Sequence, residues 1–582
     1  MEAVIAGRDS IVVLPTGGGK SLCYQAPAVA MPGTAVVVSP LISLMKDQVD
    51  ALTECGVPAA RLDSSLPAAE RRDVLARAHK GDLKLLYAAP ERVVLDGFVE
   101  TLRSLRLSFI AVDEAHCISM WGHDFRPEYR ELGALKDALP GLVLHAYTAT
   151  ATAKVREDIA EYLQLKDPQV LVGSFDRPNL VYRAEPRGRR LEQVCAVIDR
   201  HPRESGIVYC IRRADVDATC AQLQARGYRA LPYHAGMSDE DRKANQEAFI
   251  GEGTDIIVAT VAFGMGIDKP NVRYVVHAGM PKSVEHYQQE SGRGGRDGLE
   301  AECCLLYSAA DFGTWNAILR ELPPGPREVA VAKLSDMYHY ATGVTCRHRA
   351  LLNYFGQDLD KDNCGACDAC LGEVDYMPDS LQTAQKILSC VLRLKQRYGG
   401  AYTAAVLLGS TDERIIQSGH DALSTYGLLE GRPPRAVRDW IEQLVGQGCL
   451  AKTAEFGVLK LTQKGLRVLK GEEQPRLLEP ARGGKGKQAK LSRGRRASAA
   501  DKEEALEPGD AALFEALRAL RKQIADKKRI PAYAVFSDRA LRGMARLKPR
   551  TPQEFLQVKG VGQKKCQQYA ETFLKAIRQR GG

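Results

Sequence analysis

The chain has 582 residues, 45% hydrophobic and 26% charged, an ordinary balance for a folded protein of several domains. That length predicts about three to five domains, each burying its own core. No apolar run reaches the roughly 18 residues a membrane span needs, and the first residues lack a signal-like core, so neither a membrane span nor secretion is expected. Fifteen cysteines without a disulfide framework suit a reducing compartment. The formal charge of +9 is modest but uneven. Arg482, Lys485, Lys487, Lys490, Arg493, Arg495 and Arg496 follow one another without an acid, which suits a polyanionic partner and equally a solvated basic linker.

In chain order, the first element is the apolar run Ile11-Val12-Val13, expected to be a buried strand. It leads into Leu14-Pro15-Thr16-Gly17-Gly18-Gly19-Lys20-Ser21 and then a helix-like segment. A strand, a glycine turn and a helix start, in that order, build a phosphate site. Without Cβ atoms, Gly17, Gly18 and Gly19 let the loop's N–H groups, with Thr16, close around phosphates; Lys20 adds an ammonium and Ser21 a hydroxyl for Mg²⁺. Leu14 stands where the general pattern has glycine. The runs Ala35–Val38, Lys84–Tyr87, Phe109–Val112 and Leu142–Ala146 continue the βαβ rhythm of a parallel sheet. One of them ends in Asp113-Glu114-Ala115-His116. At a strand's carboxyl end, Asp113 would hold Mg²⁺ and Glu114 would orient and deprotonate the attacking water. Just beyond, Trp121, Phe125 and Tyr129 recur around Arg126. Unpaired bases stack on such rings for about 1–3 kcal/mol each, and Arg126 suits phosphate or stacking.

The rhythm restarts with Gly206–Tyr209, Ile256–Ala259, Tyr274–His277 and Cys303–Tyr307, a second α/β unit without a phosphate loop. Two such units suggest a nucleotide gripped in the cleft between them. Within Gln288-Gln289-Glu290-Ser291-Gly292-Arg293-Gly294-Gly295-Arg296-Asp297, Arg293 and Arg296 would share one face if the segment is helical. Arginine forks onto phosphate oxygens and stays charged, and such a cross-cleft contact contributes on the order of 10³–10⁵ in rate. Farther on, Cys346 and the cluster Cys364-Gly365-Ala366-Cys367-Asp368-Ala369-Cys370 offer four thiolates to tetrahedral Zn²⁺ or, by spacing alone, to an iron–sulfur cluster. His339 and His348 read as surface or DNA-facing residues. Residues 376–470 read as a winged helix: Val437, Trp440, Ile441, Leu444 and Val445 line one helix face after Pro433-Pro434. A hairpin of Leu450–Thr453 and Val458–Leu461 follows, turning at Glu455-Phe456-Gly457.

Together these residues resemble the RecQ family of superfamily 2 helicases over nearly the whole chain. The likeness rests on Pro15 through Gln25, Ser39-Pro40-Leu41-Ile42-Ser43-Leu44-Met45-Lys46-Asp47-Gln48, the segment Ser119–Tyr129, Thr148-Ala149-Thr150-Ala151-Thr152 and Ala259 through Pro270. It implies an α/β architecture of two tandem RecA-like lobes (1–168 and 169–318), a zinc-binding helical module (319–375) and a winged helix (376–470). A basic linker (471–508) and a small all-α HRDC bundle (509–582) complete the expected order. The resemblance favours zinc at the four cysteines, and nucleotide contacts for Asp268, Arg293 and Arg296, with Gln289 in the catalytic segment. It places Phe456 at the duplex junction, and Phe555-Leu556-Gln557-Val558-Lys559-Gly560-Val561-Gly562 in the HRDC bundle. There, Lys559, Gly560 and Gly562 would meet a sugar–phosphate backbone.

The implied function is an ATP- and Mg²⁺-dependent 3′→5′ DNA helicase of recombination, repair and replication, acting on single-stranded and partly duplex DNA. A single-strand-binding protein or other repair proteins as partners, a monomeric state and a cytoplasmic, nucleoid-associated location belong to the same expectation. Two rivals stand beside it: an RNA helicase, since Asp-Glu-Ala-His also occurs there, and a DNA-binding or annealing protein with a crippled motor. The family's adenine-recognising Gln and aromatic residue normally precede the phosphate loop. None is seen before Lys20: either this sequence starts past that element or base recognition is weakened, and for the chain as it stands the expectation is weakened ATP affinity or ATP-over-GTP preference.

Overall fold

The computed structural model describes residues 1–122, 124–264, 269–453, 457–478, 508–528 and 530–580. Asp268, Phe456 and the basic run 482–496 therefore lie outside the described residues. Seven parallel strands form the first sheet: β1 (Ser10–Val13), β2 (Thr34–Val38), β3 (Ala59–Leu62), β4 (Leu85–Ala88), β5 (Leu107–Val112), β6 (Leu144–Thr148) and β7 (Gln169–Val172), in the order β3-β4-β2-β5-β6-β1-β7. Helices cover both faces, so β1, β2, β4 and β6 are buried along their whole length, which is why they read as unbroken apolar runs. β3 and β7 went unseen in the sequence because they are short edge strands; Val170 and Leu171 of β7 stay about half exposed (51% and 48%).

The second sheet is also parallel, in the order β10-β11-β9-β12-β13-β8, from β8 (Leu180–Pro186), β9 (Ser205–Tyr209), β10 (Ala230–Tyr233), β11 (Ile256–Ala259), β12 (Val272–His277) and β13 (Ala301–Tyr307). The four cysteines sit in a module stitched to its edge. Tyr182 of β8 bridges to Cys367, with Tyr182 N donating to Ala366 O and Asp368 N to Tyr182 O. One buried cluster runs from Val13 and Val112 through Tyr182 and Tyr287 to Leu351 and Cys367. Both lobes and the cysteine module share that cluster, and each lobe has a further core of its own, around Val37 and Tyr147 in the first and Val208 and Val276 in the second; the winged helix and the terminal bundle also have their own.

In the winged-helix region, the helix Pro434–Gly446 buries Val437, Trp440, Ile441, Leu444 and Val445, as its periodicity predicts. β14 (Leu450–Lys452) and β15 (Leu459–Leu461) pair antiparallel beside it. The terminal bundle packs helices Pro508–Lys528, Asp538–Leu547 and Gln563–Arg580 around Phe536, Phe555 and Phe573.

Candidate nucleotide cleft and nucleic-acid-facing elements

Because β1 lies between β6 and β7, and β5 beside β6, the phosphate loop, Asp113 and Thr148 meet at the carboxyl edge of the first sheet. Leu14 N donates to Thr148 O at 3.0 Å and Asp113 N to Val38 O at 2.8 Å, pinning both loops. Gly17 and Gly19 take φ of +84° and +78°, a backbone that side chains other than glycine's rarely adopt. A Cβ on Gly18 would sit 2.9 Å from Pro15 O. Among the described residues, the N–H groups of Gly17, Gly19, Lys20 and Ser21 have no backbone acceptor. They are the open cradle that a phosphate chain requires.

Lys20 Nζ lies 2.8 Å from Glu114 Oε1 and 3.2 Å from Asp113 Oδ1. Burial works against all three charges. It pushes the Asp113 carboxyl up, whereas Glu114 overcomes it and is held well below the usual carboxylate range by the Lys20 ammonium and by His116. Lys20 in turn is raised by the two carboxylates despite its burial. Glu114 has a left-handed backbone, φ +47°, a strain of about 1–3 kcal/mol that functional loops often carry. His116 Nδ1 stands 3.3 Å from Glu114 Oε2 and 2.8 Å from Thr148 Oγ1, so one imidazole joins the carboxylate loop to the end of β6.

The second lobe meets this loop. Its helix Val284–Ser291 stops before the arginines, so the helical condition under which Arg293 and Arg296 would share one face is not met. They lie in the turn that follows, where Gly295 takes φ +54°. Arg293 is 4% exposed, and its Nε has no hydrogen-bond partner among the described residues. A Cβ placed on Gly17 would lie 3.6 Å from Arg296 Cγ, so Arg296 runs over the phosphate loop. Gln289 is half-buried in the last turn of that helix. Arg177 escaped the sequence reading: its guanidinium reaches Thr16 O and the carbonyls of Gly292, Gly294 and Gly295. No periodicity marks it; its place in the joint between two βα units was the available clue.

The loop after Asp113-Glu114 divides its aromatic residues. Trp121 is 44% exposed, Phe125 is half-buried under the Arg130 guanidinium, and Arg126 donates to Pro40 O. Tyr129 is fully buried and donates its hydroxyl to Asp113 O at 3.0 Å. Its expected role as a base platform is corrected: no base can reach a ring in the core.

The ligand atoms of Cys346, Cys364, Cys367 and Cys370 all lie within 4.8 Å of one another. Tetrahedral zinc with thiolates about 2.3 Å away places sulfurs about 3.8 Å apart, so the set fits that ion. Ala366 N and Cys370 N point at the sulfurs of Cys364 and Cys367. Behind them the buried Arg347 forks onto Asp368. His348 is likewise buried, bonded to Asp176 and to the carbonyls of Leu180 and Ala366, so it is neither a surface nor a DNA-facing residue. In the terminal bundle, buried Val558 and Val561 clamp a loop whose Lys559, Gly560 and Gly562 stay exposed, with Gly560 at φ +94°.

Comparison with known proteins agrees with this geometry. Residues 1–159 match the DEAD/DEAH box helicase family and residues 189–298 the helicase conserved C-terminal domain, which together define a two-lobed helicase motor. The RecQ zinc-binding family matches residues 309–371, the RQC domain 376–484 and the HRDC domain 510–577. The chain is 42% identical to the ATP-dependent DNA helicase RecQ of Pasteurella multocida over 582 residues, all of this chain and 90% of that one. It is 38% identical to the protein of the same name from Bacillus subtilis over 575 residues, 98% of this chain and 93% of that one. The chain belongs to the RecQ family.

Proposed function

We propose that this chain is an ATP-dependent DNA helicase of recombination and repair that translocates 3′→5′ on single-stranded DNA and parts the duplex ahead of it. The observation that carries the reading is the approach of Arg296 and Arg177 to the phosphate loop, which gives one nucleotide walls from both lobes. Relatives named DNA helicases at 38–42% identity over nearly the full chain disfavour the RNA alternative.

In this reading the phosphate loop of residues 16–21, through the N–H groups of Gly17, Gly19, Lys20 and Ser21 and the Lys20 ammonium, holds the phosphates of ATP. Ser21 and Asp113 would hold Mg²⁺, which neutralises phosphate charge when bound. When Lys20 turns to the phosphates it leaves Glu114. The carboxylate then loses the cation that depresses its affinity for protons and becomes a better base for the attacking water. Arg293, Arg296 and Asp268 would contact the phosphates from the second lobe, with Gln289 beside the attacking water, and their withdrawal after hydrolysis opens the cleft. His116 and Thr148 carry that change toward the loop of Trp121, Phe125 and Arg126, where single-stranded DNA would lie.

The same reading takes zinc at the four cysteines as structural, since protein fills every ligand position. Phe456 would stack at the duplex junction, and Lys559, Gly560 and Gly562 would bind DNA backbone. The domain order is taken as expected from the sequence, with the first lobe running on through β7 and Leu477 and Leu478 packed against the winged-helix core rather than in the linker. Among the described residues, no helix is long and apolar enough to cross a membrane. A monomer in the cytoplasm, near the nucleoid and with a single-strand-binding protein as partner, fits this work.

The decisive experiment replaces Lys20 by alanine. ATPase stimulated by single-stranded DNA should fall by about 10³-fold, while DNA affinity, carried by other domains, stays within about threefold. Normal unwinding by that variant would defeat the motor assignment. Strand annealing without any DNA-stimulated ATPase in the unaltered chain would favour the annealing protein instead, and stimulation by RNA rather than DNA the RNA helicase.

A further inference from the structure

Residues 173–179 carry the chain from β7, in the first sheet, to β8, at the edge of the second. Arg177 stands in this joint, and its guanidinium donates to four backbone carbonyls. Nη1 reaches Thr16 O at 3.3 Å and Gly292 O at 3.2 Å; Nη2 reaches Gly294 O and Gly295 O, each at 3.1 Å. The first acceptor belongs to the phosphate loop, and the other three to the turn that carries Arg293 and Arg296. A guanidinium is planar, its donors diverge from one carbon, and it stays charged. Gripping both segments at once therefore sets their separation to the width of one side-chain head.

The joint itself is firmly seated. Asn179 Nδ2 donates to Gly295 O at 2.8 Å and Leu299 O at 2.9 Å, holding the far end of the same turn. Phe175 stacks on Phe355 with centroids 4.4 Å apart. Gln357 bonds Phe175 N and Gly173 O, and Asp176 pairs with His348 at 2.7 Å. The cysteine-bearing module thus anchors the strap from which Arg177 reaches into the cleft.

We propose that Arg177 is a positioning residue for ATP hydrolysis: by bridging Thr16 to Gly292, Gly294 and Gly295, it holds the Arg293–Arg296 turn against the phosphate loop when the lobes close. The proposal rests on the reading that those two arginines meet the terminal phosphate. Arg177 touches carbonyls rather than reacting atoms, so its effect passes through them. Lysine would not replace it, because an ammonium presents its donors from a single point.

The test uses the full chain as R177A, R177K, R296A and the R177A/R296A double variant. Three quantities are measured: DNA-stimulated ATPase, affinity for ADP–aluminium fluoride as a transition-state mimic, and affinity for a non-hydrolysable ATP analogue. R177A should lower kcat about 10- to 100-fold with KM changed less than about threefold, and should weaken ADP–aluminium fluoride far more than the ATP analogue. R177K should fall at least about fivefold in kcat with unchanged melting temperature and zinc content, and it carries the test if R177A fails to fold. The double variant should lose clearly less than the product of the single losses, because Arg177 acts in part through Arg296. Either R177 variant with wild-type kcat overturns the proposal, as does a double variant whose loss equals the product of the single losses. Wild-type kcat in R296A would instead overturn the reading of the arginines themselves.

Discussion

Trp121, in a loop, and Tyr129, in the short helix Glu128–Glu131 that follows it, share a side-chain class, yet the Tyr129 ring is fully buried and Trp121 keeps 44% of its surface exposed. Their variants should separate accordingly. Trp121→Ala should weaken single-stranded DNA binding by about 5- to 150-fold, the range expected from one lost stacking platform. Tyr129→Phe removes a buried hydrogen bond to Asp113 O, which lowers stability by about 1 kcal/mol and leaves DNA affinity unchanged. Fluorescence titration with an oligonucleotide checks both, beside a thermal melt; a Tyr129→Phe variant that lost DNA affinity would return the ring to the interface. Glu114 invites a similar separation. Glu114→Gln keeps the side chain's shape beside Lys20 but removes the base, so kcat should drop by at least about 10²-fold while ATP binding persists.

At the scale of the element, β6 carries a titratable group into the core of the first lobe. His145 is fully buried, 2.9 Å from Ser10 Oγ of β1 and edge-on to Phe109 of β5. Burial lowers its pKa from 6.5 to about 4. In the unfolded chain the same ring binds a proton near pH 6.5, so between that pH and about 4 the unfolded state takes up a proton that the folded one refuses. Its stabilising share is therefore complete above pH 6.5 and drains away on acidification, about 2 kcal/mol of it by pH 5. His145→Gln should flatten the melting temperature of the first lobe between pH 7 and 5; an unchanged slope would show that the ring protonates in place. The cysteine module makes the other prediction at this scale. Because its loop extends β8 through Tyr182 and Asp368, Cys364→Ser should abolish zinc binding and also loosen the second lobe. Metal analysis and hydrogen exchange at β8 report the two effects.

For the whole molecule, the unexpected feature is the seat of the terminal bundle on the second lobe. Arg521 is fully buried, donating to Phe536 O and Asp538 within its own bundle and to Glu252 Oε1 across the interface at 3.1 Å. Asp538 lies 3.8 Å from Arg273, which forks onto Asp297, the neighbour of Arg296. Beside them, burial lowers the Lys269 ammonium to about 8, with Glu252 as its nearest acid. Glu252→Arg would leave Arg521 and Lys269 facing a third cation in a desolvated seam, a cost of about 3–5 kcal/mol. The bundle should detach, which small-angle scattering would read as a larger radius of gyration, with zinc content unchanged. Unchanged scattering would mean that apolar contact alone holds the seat.

Local patterns in the chain were enough for the phosphate loop, the Asp113-Glu114 strand end, the inner strands of both parallel sheets, the four-thiolate cluster and the Trp440 helix. Each is a local pattern: strands buried on both faces must be apolar throughout, and a glycine turn or a thiolate spacing is written in neighbouring residues. Long-range packing is what turns Tyr129 inward, buries His348 behind the cysteines, sets Arg293 and Arg296 on a turn rather than a helix, and lets Arg177 grip both lobes. Those facts depend on pairs such as Arg177 with Thr16 and Arg521 with Glu252, far apart in the chain. Periodicity records which side of an element is apolar; it carries no record of which distant carbonyl or carboxylate a buried charge will find.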